Sequence, residues 1–89
     1  MAKRRRKLNK DFEKRIYSSK KNVELVLAKI YDIDDEDIQK EYMSAFNRVV
    51  YFYDELKINY EEDGFHHNSE ELLSNYKNAF NLFESEFEI

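Results

Sequence analysis

Apolar side chains recur in three segments of the chain at the spacing of an α-helix, about 3.6 residues per turn. With one glycine and no proline, the sequence contains little that interrupts a helix. The periodicity predicts three helices, at about 8–31, 35–60 and 69–87.

The first predicted helix keeps its apolar phase through residues 18–22, which are weak helix formers. We therefore expect one helix, and a kink near Ser19 remains an alternative. Its apolar stripe, with the small Ser19 among its members, consists of Leu8, Phe12, Ile16, Val23, Val26, Leu27 and Ile30.

The second predicted helix has a strong start signal. Asp34 is a suitable N-cap, acidic residues follow it in the first turn, and Ile33 is placed to pack on Ile38 as a hydrophobic staple. Residues 49–53 alone would suit a buried strand, but the helical period on both sides favours a helix. The stripe consists of Ile38, Tyr42, Ala45, Phe46, Val49, Tyr53, Leu56 and Tyr60, widened by Met43 and Val50.

The third predicted helix follows a break at Gly64. Asn68 and Glu71 have the spacing of a capping box and mark its start. Its stripe consists of Leu72, Leu73, Tyr76, Ala79, Phe80, Phe83 and Phe87.

Three consecutive amphipathic helices with short connections predict an all-α fold, a small up-down-up three-helix bundle. The phenylalanine and tyrosine residues of the stripes would form its core. We expect a single helical domain at 8–89, preceded by a basic N-terminal arm at 1–7.

Composition narrows the class of protein. The chain has no cysteine, so neither a disulfide nor a zinc-thiolate site is expected, and a reducing cytoplasm is the default compartment. Its apolar runs are far shorter than the ~18 residues of a membrane span, so we expect no membrane contact. No apolar segment follows the basic N-terminus, which argues against a secretory signal peptide.

The net charge of −4 conceals a strong asymmetry. Residues 1–22 hold ten basic and two acidic residues, whereas 23–89 hold five basic and seventeen acidic ones. Such a split usually reports on binding partners. The arm could contact the phosphates of a nucleic acid, remain a solvated extension, or fold back on the acidic residues 61–63. It carries no aromatic side chain for base stacking. Its basic residues are Lys3, Arg4, Arg5, Arg6 and Lys7.

An up-down-up bundle would bring the first connection and the C-terminus to one end of the molecule, which we call the acidic end. The carboxylates are open to two interpretations. They either cap helices and are otherwise solvated, or they form a docking surface for a basic protein, in which the spaced carboxylates mimic a nucleic-acid backbone. A calcium loop does not fit, because Asp37 stands where that loop needs glycine and Met43 where it needs glutamate. The acidic end consists of Asp32, Asp34, Asp35, Glu36, Asp37, Glu84, Glu86 and Glu88.

Tyr51 and Ile58 lie off the main stripe of the second helix, seven residues apart and on one side. We call this pair the lateral face. They are either two isolated exposed apolar residues or a second patch for a partner or a second copy of the chain, since exposed aromatics often anchor interfaces.

The sequence contains no catalytic motif, and we expect no enzyme activity, cofactor or metal. His66 and His67 are adjacent in a polar segment that lacks cysteine, a pattern more typical of plain surface than of a metal site. The resulting hypothesis is a small cytoplasmic regulator or inhibitor, encoded by a phage or other mobile element, that docks on a larger basic host protein. The alternative is a nucleic-acid-binding accessory protein that uses the arm.

Overall fold

The computed structural model describes residues 7–88 as a three-helix bundle with no β-strand in that range. Helix α1 spans Lys10–Tyr31, α2 spans Glu36–Asp63 and α3 spans Ser69–Glu86. The predicted all-α fold is therefore confirmed. The α1 helix is continuous through Ser19.

Helices α1 and α2 run in opposite directions along their whole length. At one end the backbone N–H of Asn9 donates a hydrogen bond to the Tyr60 hydroxyl at 2.9 Å. At the other end Gln39 Nε2 donates to the carbonyl of Ile30 at 3.2 Å. Residues early in α1 thus meet residues late in α2.

Helices α2 and α3 are also antiparallel, joined by a ladder of aromatic contacts. Ring centroids lie 4.8 Å apart for Tyr42 and Phe87, 4.8 Å for Phe46 and Phe83, and 6.0 Å for Tyr53 and Tyr76. Because α2 opposes both neighbours, α1 and α3 are parallel, which confirms the up-down-up topology.

The predicted stripes supply the core, with two exceptions. Leu8 was expected in the core but is 63% exposed, because it precedes α1, which begins only at Lys10. Asn9 is the N-cap, and its side chain accepts a hydrogen bond from Phe12 N–H. Ile38 was also expected there but is 44% exposed. The buried apolar residues are Phe12, Val23, Val26, Ile30, Phe46, Val49, Tyr53, Leu56, Tyr60, Leu73, Tyr76, Ala79 and Phe83.

The start of α2 differs from the prediction by one residue. Asp35, not Asp34, is the N-cap, and its Oδ1 accepts hydrogen bonds from the N–H groups of Asp37 and Ile38. The shift takes Ile33 and Ile38 out of the register of a hydrophobic staple.

The end of α2 lies three residues beyond the predicted one, so 61–63 form its last turn rather than a loop. Gly64 ends the helix at φ 73° and ψ −160°, a region that only glycine populates readily. The connection to α3 is correspondingly shorter than expected from the sequence.

The start of α3 uses a different device from the predicted capping box. Asn68 makes no side-chain capping bond. Instead the Ser69 hydroxyl accepts from His66 N–H at 2.9 Å, and His66 Nδ1 accepts from Asn68 N–H at 3.1 Å. The Ser69 hydroxyl and the His66 imidazole therefore hydrogen-bond the backbone N–H groups before α3, a role that the sequence predicted for the side chains of Asn68 and Glu71.

The N-terminal side of the chain meets the α2–α3 connection. The Lys7 carbonyl accepts a hydrogen bond from Phe65 N–H at 2.6 Å, and Lys7 pairs with Gly64 in an isolated bridge. Residues 3–6 of the basic arm lie outside the described residues.

Replacing Phe46 tests the aromatic ladder. Because this ring is fully buried and contacts both Phe80 and Phe83, Phe46→Ala should lower the free energy of unfolding by ~3–5 kcal/mol. Urea denaturation followed by circular dichroism measures the loss. Leu82→Ala, at an exposed position of α3, is the control, and equal losses in the two variants would contradict the core assignment.

Replacing Gly64 tests the backbone constraint at the α2–α3 turn. A Cβ at this φ and ψ is strained, so Gly64→Ala should lower the free energy of unfolding by ~1–3 kcal/mol. Ser74→Ala, in the exposed middle of α3, should change it by less than ~0.5 kcal/mol. An unaltered denaturation midpoint for Gly64→Ala would show that the turn relaxes into another conformation.

Candidate protein-docking surfaces

The acidic end is assembled from two distant stretches of the chain, as the topology requires. All eight of its carboxylate residues are exposed. Asp32, from the first connection, and Glu88, from the C-terminal segment, line the same hollow together with Lys29. The Tyr42 hydroxyl donates to the Glu88 carbonyl at 3.1 Å and fixes the C-terminal segment there.

The charges of the acidic end have little compensation. Within residues 7–88, none of its eight carboxylates forms an ion pair. Among residues 7–88, Asp35 alone of the eight uses its carboxylate in a hydrogen bond, the helix cap described above. The remaining seven side chains project their charge to the solvent.

Apolar groups lie among these carboxylates. The hollow, about 320 Å³ in volume, is lined by Ile33, Ile38 and Tyr42 as well as by the charged groups. Tyr31, which immediately precedes Asp32, is 69% exposed. An apolar hollow with an anionic rim can take the aliphatic stem of a lysine or arginine while its charged head meets the carboxylates.

The sequence did not mark Tyr31 or Ile38 as surface residues. Tyr31 lies outside the α1 stripe, and this position was the available sequence signal that its side chain is exposed. Ile38 lies inside the α2 stripe, so only the packing shows that its side chain is half-exposed.

The lateral face is exposed, and Tyr51 and Ile58 line one shallow hollow. The Tyr51 ring packs on Phe52 with centroids 5.3 Å apart. Acidic residues, Asp54, Glu55 and Glu62, share the hollow. The surroundings of this face are therefore anionic as well.

A groove of about 580 Å³ lies between the parallel helices α1 and α3. Near the α2–α3 turn, Arg15 Nη1 and Glu70 Oε1 bridge the two helices at 3.1 Å. Deeper, the Tyr76 hydroxyl donates to the Ser19 carbonyl at 3.3 Å, and the small Ser19 side chain permits this approach. The groove is lined by Lys14, Arg15, Ser18, Ser19, Asn22, Leu25, Val26, Lys29, Tyr76, Lys77, Phe80, Asn81 and Glu84.

The groove combines apolar and basic groups. Leu25 is 57% exposed, and the buried Val26 and half-buried Phe80 lie beside it. Four cationic residues and one carboxylate, Glu84, line the groove. The position of Leu25 off the α1 stripe was a partial signal for this surface. The meeting of α1 and α3 cannot be read from either helix alone.

His66 has a structural role. Because its Nδ1 accepts from Asn68 N–H, its Nε2 carries the proton and donates to Asn59 Oδ1 at 2.6 Å. His67 is exposed, with its ring 5.7 Å from that of His66. Within residues 7–88, no three His, Cys, Asp or Glu side chains are grouped closely enough to hold a metal ion.

The basic arm contributes one described residue, Lys7, whose side chain is exposed. Lys3, Arg4, Arg5 and Arg6 lie outside the described part of the chain. A cationic surface nevertheless continues along α1, where Lys10, Lys14, Lys20 and Lys21 are all exposed.

No family model matches this chain, and neither a curated protein nor a solved structure matches it. None of the helices in residues 7–88 combines the length and the apolar character that a membrane crossing needs.

The pH dependence of stability tests whether the phenols of Tyr53 and Tyr76 are buried in the bundle. Burial raises the pKa of Tyr76 to about 12, and burial together with the nearby Asp54 carboxylate raises the pKa of Tyr53. Between pH 10 and 12 the unfolded chain releases protons that the folded chain retains, so the free energy of unfolding should fall as the pH rises. Denaturation midpoints measured across this range should show the fall.

Tyr76→Phe removes one of these ionisations, so its stability should fall less steeply above pH 10 than that of the unmodified chain. The same slope in Tyr76→Phe and the unmodified chain would show that this phenol ionises freely in the folded state.

Proposed function

We propose that this chain is a non-enzymatic protein-binding module whose acidic end docks on a cationic surface of a larger protein. The observation that carries the proposal is the meeting of two acidic stretches around an apolar hollow. Asp32 and Glu88 are far apart in sequence and line that hollow together with Ile38. Charge alone is explained by helix capping and solvation, whereas charge around an exposed apolar site suits an interface.

The two components of this surface would act at different stages of binding. The carboxylates raise the rate of encounter with a cationic partner and orient it, an effect that salt weakens. Each exposed charge contributes little to the affinity of the complex. Tyr31 and Ile38 would provide most of the binding energy, because apolar and aromatic anchors dominate interfaces once they are desolvated.

The chemistry of the partner follows from the surface. A protein that handles nucleic acid presents a cationic groove for phosphates, and the spaced carboxylates of the acidic end could occupy it in their place. The module would then act as an inhibitor or regulator in the cytoplasm. A short, acidic, cysteine-free chain is consistent with an inhibitor from a phage or other mobile element.

A second function is favoured by the charge split: nucleic-acid binding through the arm. Residues 1–22 carry ten basic side chains, and the cationic surface of α1 is exposed. Deleting 1–6 should then abolish a salt-dependent shift with DNA or RNA. The same deletion should leave binding through the acidic end in place.

Charge reversal tests the main proposal. Asp34→Lys with Glu86→Lys avoids the Asp35 cap and alters two exposed carboxylates without hydrogen bonds among residues 7–88. Once a partner has been isolated by affinity purification with this chain as bait, its association with the variant at low salt should slow by ~10-fold, and the salt dependence of association should weaken. Stopped-flow measurements at two salt concentrations give both quantities.

A matched reversal elsewhere controls for net charge. Glu24→Lys with Glu71→Lys makes the same change on exposed positions of α1 and α3 outside the acidic end. If this variant slows association as much as the first, net charge rather than the acidic end is responsible. Tyr31→Ala should instead accelerate dissociation, and an unchanged dissociation rate would remove Tyr31 as an anchor.

A further inference from the structure

The groove between α1 and α3 forms a second surface, opposite in charge to the acidic end. Its basic residues come from both walls, Lys14 and Lys29 from α1 and Lys77 from α3, and all three are exposed. Their ammonium groups have no ion-pair partner among residues 7–88. Arg15 differs, because Glu70 already neutralises it at the end of the groove near the α2–α3 turn.

Apolar groups lie between these cations. Leu25 is more than half exposed on the α1 wall, about one helical turn from Lys29. Phe80 is half-buried on the α3 wall, with its ring 5.9 Å from that of Tyr76 and 6.2 Å from that of Phe46. The ring is therefore held in place by the core while one side remains accessible. Such rigid, partly exposed apolar groups are suited to anchor an interface.

We propose that this groove binds an amphipathic helix of a partner protein with acidic flanks and an apolar stripe. The α1 wall from Lys14 to Lys29 rises about 22 Å at ~1.5 Å per residue, enough for roughly four turns of a bound helix. The apolar stripe would meet Leu25 and Phe80, and the acidic flanks would meet Lys29 and Lys77.

Two other occupants fit the groove less well. A nucleic acid offers phosphates for the lysines but no apolar stripe for Leu25 and Phe80. A second copy of the chain is acidic, but the stripes of its three helices are largely buried in its own core. The partner helix satisfies both the charge and the apolar character of the groove. The inference rests on residues that the proposed function does not use, chiefly Leu25, Phe80 and Lys77. Lys29 and Glu84 lie where the groove adjoins the acidic end.

The test uses fluorescence anisotropy with a panel of labelled synthetic helical peptides, each of about 16 residues to match the ~22 Å wall. Each peptide carries glutamate flanks and a stripe of Leu, Ile, Phe or Trp at the i, i+4, i+7 spacing. Controls are peptides of the same composition without a stripe, peptides with lysine flanks, and a single-stranded oligonucleotide. We expect saturable binding of the striped acidic peptides alone.

A matched pair of leucine variants tests the apolar part of the binding site. Leu25→Ala should weaken binding by at least ~10-fold, whereas Leu82→Ala, an exposed leucine outside the groove, should not. Each of these variants should keep its thermal midpoint, because both side chains are exposed.

The charged walls are tested in the same way. Lys29→Glu with Lys77→Glu should weaken binding by ~10-fold or more, chiefly through slower association at low salt. Lys40→Glu with Lys57→Glu makes the same change in net charge at exposed positions outside the groove and should leave the affinity within about twofold.

Four results would overturn the proposal. The first is the absence of binding by every striped peptide up to about 1 mM. The second is equal binding of peptides with and without the stripe, and the third is preferential binding of the oligonucleotide. The fourth is equal loss of affinity in the groove variants and their controls. Self-association in sedimentation equilibrium that Leu25→Ala abolishes would instead assign the groove to a second copy.

Discussion

The packing of aromatic rings along α2 is the constraint on which the rest of the structure depends. A chain of 89 residues without disulfides can hide only a limited apolar surface, so its core has to be efficient. Helix α2 satisfies this requirement by packing its apolar stripe against both neighbouring helices. Phe46 and Tyr53 meet the rings of α3, and Tyr60 meets Phe12 of α1. Large rings bury much area for each residue that folding orders.

The central position of α2 also shapes the surface. Both α1 and α3 pack more extensively on α2 than on each other, and the described molecule is elongated and flat, 53 × 25 × 17 Å in extent. The two outer helices are joined by the Arg15–Glu70 bridge and the hydrogen bond of Tyr76 to the Ser19 carbonyl. Between and beyond these contacts lies the groove. Its apolar lining is thus a consequence of a core organised around one helix.

The directions of the helices distribute the charge. Because the chain reverses twice, the first connection and the C-terminal segment lie at one end, and Lys7 lies at the other beside Gly64 and Phe65. Seventeen of the nineteen acidic residues follow residue 22. Residues 23–89 therefore carry both the acidic end and the anionic surroundings of the lateral face. The cations of α1 form one wall of the groove instead. One small bundle therefore presents surfaces of opposite sign, which would select partners of opposite chemistry.

The sequence by itself determined the helices, their order and most of the core, because the helical period of apolar residues is a local property. It also located the eight carboxylates of the acidic end. Helix ends were less predictable: Asp34 and Asp35 are equally good caps by type, and only the geometry of the turn selects Asp35. Only the tertiary structure decided that Ile38 remains exposed, that α1 and α3 meet in a groove beside Leu25, and that His66 stabilises the start of α3. These outcomes depend on how the helices pack and on the path of the turn between α2 and α3, which no single helix encodes.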